Sequence, residues 1–278
     1  MLLHIDNLSF SYPGTSVLEN IGFSVEPGDF VSIVGPNGSG KTTLLKLLDR
    51  ILVPEQGTIR FGGHPLHEYA RAELARRISY VPQETGWVFP FTVLDIVLMG
   101  RSPHLGRRVF EGGDDIRIAR EAMELVDVAS LEEHPITGIS GGERQRVLIA
   151  RALAQKPEMV LLDEPNAHLD LLHQLGIFAV LRDRNRAEGL TVVSVSHDLN
   201  LAAAFSSHIL LLSREQPPGE ARLGPYRVLA FGTPRDVLTP ELLYKAFGAR
   251  VLVDRHPTMG SPRVTPDPTM IGRSKQQR

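Results

Sequence analysis

Short apolar runs alternate along the chain with longer stretches in which apolar residues recur every three or four positions. The runs FVSIVG (30–35), TIRFGG (58–63), ISYVPQ (78–83), MVLLDEP (159–165), LTVVSVSHD (190–198) and HILLLS (208–213) read as strands. MVLLDEP and LTVVSVSHD are almost wholly apolar before a polar end, the pattern of strands covered on both faces. TTLLKLLDRIL (42–52) reads as a helix stopped by Pro54. Strands alternating with helices predict α/β architecture. Between 91 and 155 the strand signal stops. Helical patterns at 93–99, 114–126 and after Gly142 predict a helical subdomain inserted into the core. EQPPGEARLGP (215–225) reads as a Pro/Gly-rich connector. The stretch from about 255 is rich in Pro, Gly and basic residues. At most a short strand or hairpin and then disorder are expected there.

Composition narrows the class. The 278 residues are 42% hydrophobic and 22% charged, the balance of a soluble globular protein. Lys+Arg number 30 against 32 Asp+Glu, a net charge of −2. That gives no general electrostatic reason to bind nucleic acid or an anionic membrane. Without cysteine, disulfides and thiolate metal sites are excluded. The start, MLLHIDNLSFSY, lacks a basic n-region and a long apolar run, so no secretory leader is expected. No apolar run approaches the ~20 residues that span a bilayer. Attachment to a membrane would need another protein.

Two stretches have the chemistry of phosphate sites. GPNGSGKTT (Gly35, Pro36, Asn37, Gly38, Ser39, Gly40, Lys41, Thr42, Thr43) fits G-x-x-x-x-G-K-[ST] between a strand and a helix. Glycines turn backbone N–H groups onto a β-phosphate, Lys41 bridges β and γ, and Thr42 offers a hydroxyl to Mg²⁺. A hundred residues later, Ser140, Gly141, Gly142 and Glu143 open a helix, where N–H groups and the dipole also favour an anion. Asp163 ends a buried strand, where ligands of open α/β sheets bind and a carboxylate can hold metal. Adjacent Glu164 suits orienting a water for attack on a γ-phosphate. His197 ends the next strand, placed to donate to developing charge. The Gln83 amide suits the metal or the lytic water. Tyr12, exposed beside Pro13 and Gly14, suits stacking on a purine. Two copies placed head-to-tail would bring the Ser140 turn of one against the Lys41 loop of the other. ATP would then close a two-fold dimer.

Together these motifs resemble the ATP-binding cassette family. They comprise the Gly35–Thr42 loop, Gln83, SGGE at 140–143, LLDEP at 161–165, HLD at 168–170 and His197, in the family's order. Glu143 stands where the signature commonly has Gln, and NAHLD replaces the commoner Thr-Ser-Ala-Leu-Asp. The resemblance implies a P-loop NTPase (RecA-like) core with an N-terminal antiparallel β subdomain and the inserted helical subdomain. The ATPase domain would cover 1–250, with its helical part at about 91–155 and a C-terminal extension at 251–278. ATP and Mg²⁺ are the implied cofactors. Glu164 would be the catalytic base. His197 and Gln83 would sense the γ-phosphate. Thr42, Gln83 and Asp163 would serve the metal, and Asp170 the intersubunit contact.

TVLDIVLMGRSPHLG (92–106), SHDLNLAAAFSSHILLL (196–212), GTPRDVLTPELLYKAFG (232–248) and VLVDRHPTMGSPRV (251–264) resemble importers of ferric siderophores, haem and cobalamin. Molybdate-type relatives remain a second reading of the cargo. The implied partners are a second copy, transmembrane permease subunits and, indirectly, a periplasmic or extracellular binding protein, with no nucleic acid. The implied location is the cytoplasmic face of the inner membrane, peripheral through the permease. Leu98, Met99 and Leu105 beside Arg101 and Arg107 are expected to be exposed for docking that permease. The alternatives are a soluble ATP-driven clamp on nucleic acid or ribosomes and a monomeric P-loop kinase. The first lacks a second cassette or coiled-coil arm here, and the second has no use for the Ser140 motif.

Overall fold

The computed structural model describes residues 1–83, 89–106, 108–166, 169–214 and 224–267. The chain divides into two units, Met1–Pro65 with Val195–Arg278, and Leu66–Ser194.

The first unit opens with an antiparallel hairpin, β1 (Leu3–Tyr12) and β2 (Thr15–Val25). In β1, Leu3, Ile5, Leu8 and Phe10 are buried. The step from Ile5 to Leu8 breaks the two-residue period. Asn7 adopts φ 50 there and the register with β2 shifts between Ile5 and Leu8. A residue inserted at this point keeps both halves of the strand apolar-inward. After β3 (Phe30–Val34) and α1 (Lys41–Leu48), β4 (Gln56–Phe61) pairs with the free edge of β1 and is followed by β5 (His64–Pro65), giving a sheet of order β2-β1-β4-β5.

The helix expected over 42–52 ends early, at Leu48. Arg50 takes the left-handed conformation (φ 57), Ile51 N–H donates to Lys46 O at 2.8 Å and Arg50 N–H to Leu47 O at 3.1 Å. These satisfy the last carbonyls in a Schellman turn, so the helix stops before Pro54 can act.

The second unit contains α2 (Arg71–Arg77), β6 (Ile78–Val81), α3 (Val93–Leu98), α4 (Gly113–Leu125), α5 (Gly141–Ala154), β7 (Met159–Asp163), α6 (Leu171–Glu188) and β8 (Thr191–Val195). Its strands run in the order β8-β7-β6, with β6 parallel to β7. Every residue of β7 and β8 is buried, which explains their unbroken apolar sequence. Among the described residues all elements between 91 and 155 are helical, α3 running on into a 3-10 segment, Met99–His104.

The chain then returns to the first unit with α7 (Leu199–Phe205), β9 (His208–Ser213), β10 (Arg227–Gly232), α8 (Pro234–Val237), α9 (Pro240–Phe247) and an antiparallel hairpin, β11 (Val251–Arg255) and β12 (Pro262–Pro266). Here the order is β10-β9-β3, β9 being parallel to β3. The hairpin is tied in: Val264 is buried in one cluster with Val34, Ala202 and Leu243. The Asn200 side chain donates to Val264 O and accepts from Val264 N–H. Most of the 215–225 connector, the tail beyond 267, Arg107 and His168 lie outside the described residues.

Candidate functional site

The first phosphate loop joins β3 to α1. Gly40 stands at the helix N-cap in the left-handed conformation (φ 83, ψ 14). A Cβ there would lie 2.8 Å from Val17 and Leu18 side-chain carbons, so glycine is required for both conformation and space. No side chain caps α1. A helix start without a side-chain cap is a place where backbone N–H groups can meet an anion. The buried Lys41 ammonium donates to Gly35 O and Pro36 O, both at 2.9 Å, and so sits over the loop. The Ser39 hydroxyl is buried with no hydrogen-bond partner. An orphaned buried hydroxyl beside an uncapped helix start fits a bound phosphate group. Thr42 is half-buried on the first turn.

Tyr12, the last residue of β1, is 41% exposed. Its ring stands edge-on to Phe10 (centroids 5.0 Å, interplanar 88°), and its hydroxyl lies 3.5 Å from Thr43 Oγ1. The tyrosine is thus a rigid aromatic surface beside the loop. His197 is exposed just after β8. Its neighbour Ser196 donates its N–H to Ile33 O in β3 at 3.1 Å, and Asp198 caps α7. Both flanks of His197 are therefore fixed.

In the second unit, Asp163 ends β7 fully buried, and the Tyr80 hydroxyl donates to its Oδ2 at 3.2 Å. Glu164 follows at φ 52. This left-handed conformation costs a non-glycine residue ~1–2 kcal/mol, and the following Pro165 disfavours the right-handed alternative. Strain of this kind concentrates at functional positions. Gln83 Nε2 donates to Glu164 Oε2 at 2.9 Å, bringing two sequence-predicted residues together. Among the described residues no group of three or more His, Asp or Glu could hold a metal unaided. Mg²⁺ takes one or two carboxylates beside waters and phosphate oxygens, and the buried Asp163 carboxylate is a ligand of that kind.

At α5, Ser140 is the N-cap. Its hydroxyl accepts from Glu143 N–H at 3.2 Å, while the Glu143 carboxylate accepts from Ser140 N–H at 2.7 Å. Glu and Gln close this capping box equally well, which accounts for Glu143 in place of the common Gln. The Ser140 hydroxyl, then its backbone N–H, hold the Glu143 carboxyl below the usual range. A pocket of ≈ 610 Å³ opens here, lined by Ser140, Gly141, Gly142, Glu143, Arg146, Leu169, Asp170 and His173. The structure therefore brings Asp170 to the Ser140 turn.

Asp170 Oδ1 accepts from His173 N–H (2.9 Å) and from its imidazole Nδ1 (2.8 Å), capping α6. Arg146 is buried, and its Nε has no partner. Sequence reasoning missed Tyr80, Arg146 and His173. The signals were Glu143-x-x-Arg146 and Asp170-x-x-His173, pairs three apart that share a helix face.

The sequence model of the family described as "ABC transporter" matches residues 18–167, more than half of the chain. The chain belongs to the ABC transporter family. It is similar to the cobalamin import ATP-binding protein BtuD of Halobacterium salinarum, with 40% identity over 96% of this chain and 64% of that protein. Thus it spans less than two thirds of that relative's length. It is also similar to the hemin import ATP-binding protein HmuV of Gloeobacter violaceus, at 42% identity over 91% of this chain and 90% of HmuV. A solved ABC transporter in an inward-facing conformation, described as of the metal-chelate type, has a chain that aligns with TM-score 0.78 and 31% identity over 96% of this chain and 97% of its own.

One expectation for this ABC chain is corrected. In VLMGRSPHLG, the Arg101 beside which three exposed apolar residues were expected is buried and ion-paired with Asp115, Nε to Oδ1 at 3.1 Å. Leu98 and Leu105 are half-buried, and only Met99 of the three apolar residues is exposed. The cause is Gly100, where a Cβ would lie 2.2 Å from Arg151 O; the segment is pressed against the last turn of α5. Exposed apolar surface lies instead at Val109 and Phe110, each 79% exposed. No helix among the described residues is long and apolar enough to cross a membrane.

Proposed function

We propose that this chain is the ATP-binding and hydrolysing subunit of an importer for an iron chelate, haem or cobalamin, working as a head-to-tail dimer. The observation that carries the reading is the pair of anion-binding helix starts, α1 after the Lys41 loop and α5 at the Ser140 turn. One such site binds a nucleotide; the second gives its phosphates a lid on another copy. The names of the cobalamin, hemin and metal-chelate relatives support the cargo class.

In this reading the residues 35–43 wrap the phosphates of ATP, Lys41 neutralises the β- and γ-oxygens, and Tyr12 stacks on the base. Mg²⁺ supplies charge neutralisation at the phosphates, with Thr42, Asp163 and Gln83 as the residues that would hold it or its waters. Glu164 takes the proton from the attacking water, its carboxylate oriented by Gln83. His197 donates to the terminal phosphate. Ser140, Gly141, Gly142 and Glu143 bind it from the opposite copy, with Asp170 at the contact. The ATPase domain covers 1–250 with its helical part at about 91–155, and 251–278 is an extension. Membrane permease subunits hold the chain at the cytoplasmic face, and an external binding protein delivers cargo.

The test is Glu164→Gln. With ATP and Mg²⁺, gel filtration of this variant should give twice the monomer mass while turnover is nearly abolished. A variant that stays monomeric, or that hydrolyses ATP at the wild-type rate, contradicts the assignment.

A further inference from the structure

The segment Met99–His104 grips the end of α5 remote from the Ser140 turn. Arg101 Nη1 donates to Ala154 O at 2.8 Å, and His104 Nε2 donates to Gln155 O at 2.8 Å. Carbonyls at a helix C-terminus have no partner within the helix and carry its negative end, so a cation there is doubly suited. The same guanidinium donates through Nε to Asp115 on α4. Asp115 in turn accepts from Arg108 Nη1 and from Gly112 N–H, each at 3.0 Å. Arg101 and Asp115 are both buried. Gln155, the next residue along, donates to Ile78 O of β6 at 2.6 Å. One planar guanidinium thus ties α4 to the last turn of α5.

A buried ion pair contributes little net stability over a well-packed apolar pair, but it specifies one arrangement. Lysine could not replace it, since a point charge lacks the fork that reaches both acceptors at fixed angles. A fourteen-residue helix is ~21 Å long and nearly rigid. Fixing its C-terminus therefore aims its N-terminus, where the signature turn lies.

We propose that Arg101 is a positioning residue for ATP hydrolysis: by clamping Ala154 O against Asp115 it sets where α5 presents Ser140, Gly141 and Gly142 to the nucleotide of the opposite subunit. This rests on the head-to-tail reading above. Arg101 does not touch nucleotide. Its loss acts only on the step that needs the opposite copy and leaves each chain's own ATP affinity intact.

The test compares Arg101→Met/Asp115→Asn with Arg101→Lys and Ser140→Ala in the full chain. The double variant removes both charges together, and an asparagine oxygen can still accept from Gly112 N–H. We expect its melting temperature to stay within about 3 °C of wild type and its affinity for a fluorescent ATP analogue to stay within about twofold. MgATP turnover should fall roughly tenfold or more, because a misplacement of about 1 Å caused far from the chemistry can cost ~100-fold. Dimer formation in the Glu164→Gln background should weaken in parallel. Arg101→Lys should be intermediate; if the double variant does not fold, wild-type turnover in Arg101→Lys overturns the proposal. Wild-type turnover in the folded double variant, beside an inactive Ser140→Ala, overturns the proposal and spares the dimer. Intact turnover in Ser140→Ala overturns the head-to-tail reading and this proposal with it.

Discussion

Ser140 carries two loads that substitution can separate. Its hydroxyl caps α5 by accepting from Glu143 N–H, and its position lines the pocket assigned to the opposite subunit's phosphate. Alanine removes both. Loss of an N-cap costs ~1 kcal/mol, which for a protein of this size lowers the melting temperature by roughly 2–4 °C. Asparagine and aspartate cap as well as serine and share one shape, so their comparison isolates charge. A carboxylate ~4 Å from a phosphate oxygen at an effective dielectric of ~20 is repelled by ~4 kcal/mol. That corresponds to a factor of ~10³ in the closing equilibrium. We expect Ser140→Asn and Ser140→Asp to melt within about 2 °C of each other. Steady-state phosphate release should fall far more in Ser140→Asp, and in the Glu164→Gln background Ser140→Asp should remain monomeric at ATP concentrations that dimerise Ser140→Asn. Own-site nucleotide affinity should be equal in both. Equal turnover and equal dimerisation of the two variants would refute the reasoning, because a pocket indifferent to a full negative charge does not face phosphate.

Tyr12→Ala should weaken ATP binding by ~10- to 100-fold, the loss of one base stack, whereas Tyr12→Phe should bind as wild type because the contact to Thr43 Oγ1 is long; equilibrium titration with a fluorescent ATP analogue decides it, and unchanged affinity in Tyr12→Ala removes the stacking role. Asp115 gives a pH test. Its carboxyl is held below the usual range, first by the Gly112 N–H, then by Arg101, with burial opposing. A depressed folded value means stability fully present above the unfolded pKa of ~3.9 and lost as pH falls through the folded one. The stability gap between wild type and Asp115→Asn in urea unfolding should therefore be constant near pH 6 and shrink below about pH 4. A gap that persists to pH 3 would contradict it.

The strand–loop–helix at 30–48 was legible because each part is a local signal: an apolar run, glycines, then a helical period. The buried strands β7 and β8 were legible for the same reason. What escaped the sequence depends on conformations or partners without local marks. The end of α1 is made by Arg50 in a conformation that non-glycine residues seldom take. Glu164 was legible as an acidic residue after a strand, but its left-handed backbone was not. The largest miss was the exposure expected of Leu98 and Leu105, which are half-buried beside the buried Arg101.

Its partner Asp115 stands fourteen residues away, across a turn, on a helix whose own pattern gives no reason to bury a carboxylate. The clue was Gly100. A glycine in the middle of a helical pattern costs ~1 kcal/mol against alanine, and its use here is close approach to the Arg151 carbonyl. Once that approach is made, the next side chain must enter the interior, and a guanidinium can do so only where carbonyls and a carboxylate meet it. The same run of sequence that resembles a docking segment is thus made, residue by residue, to hold the far end of the signature helix. Any partner engaging the exposed Val109 and Phe110 would press on the turn between Arg108 and Asp115, two members of the clamp itself.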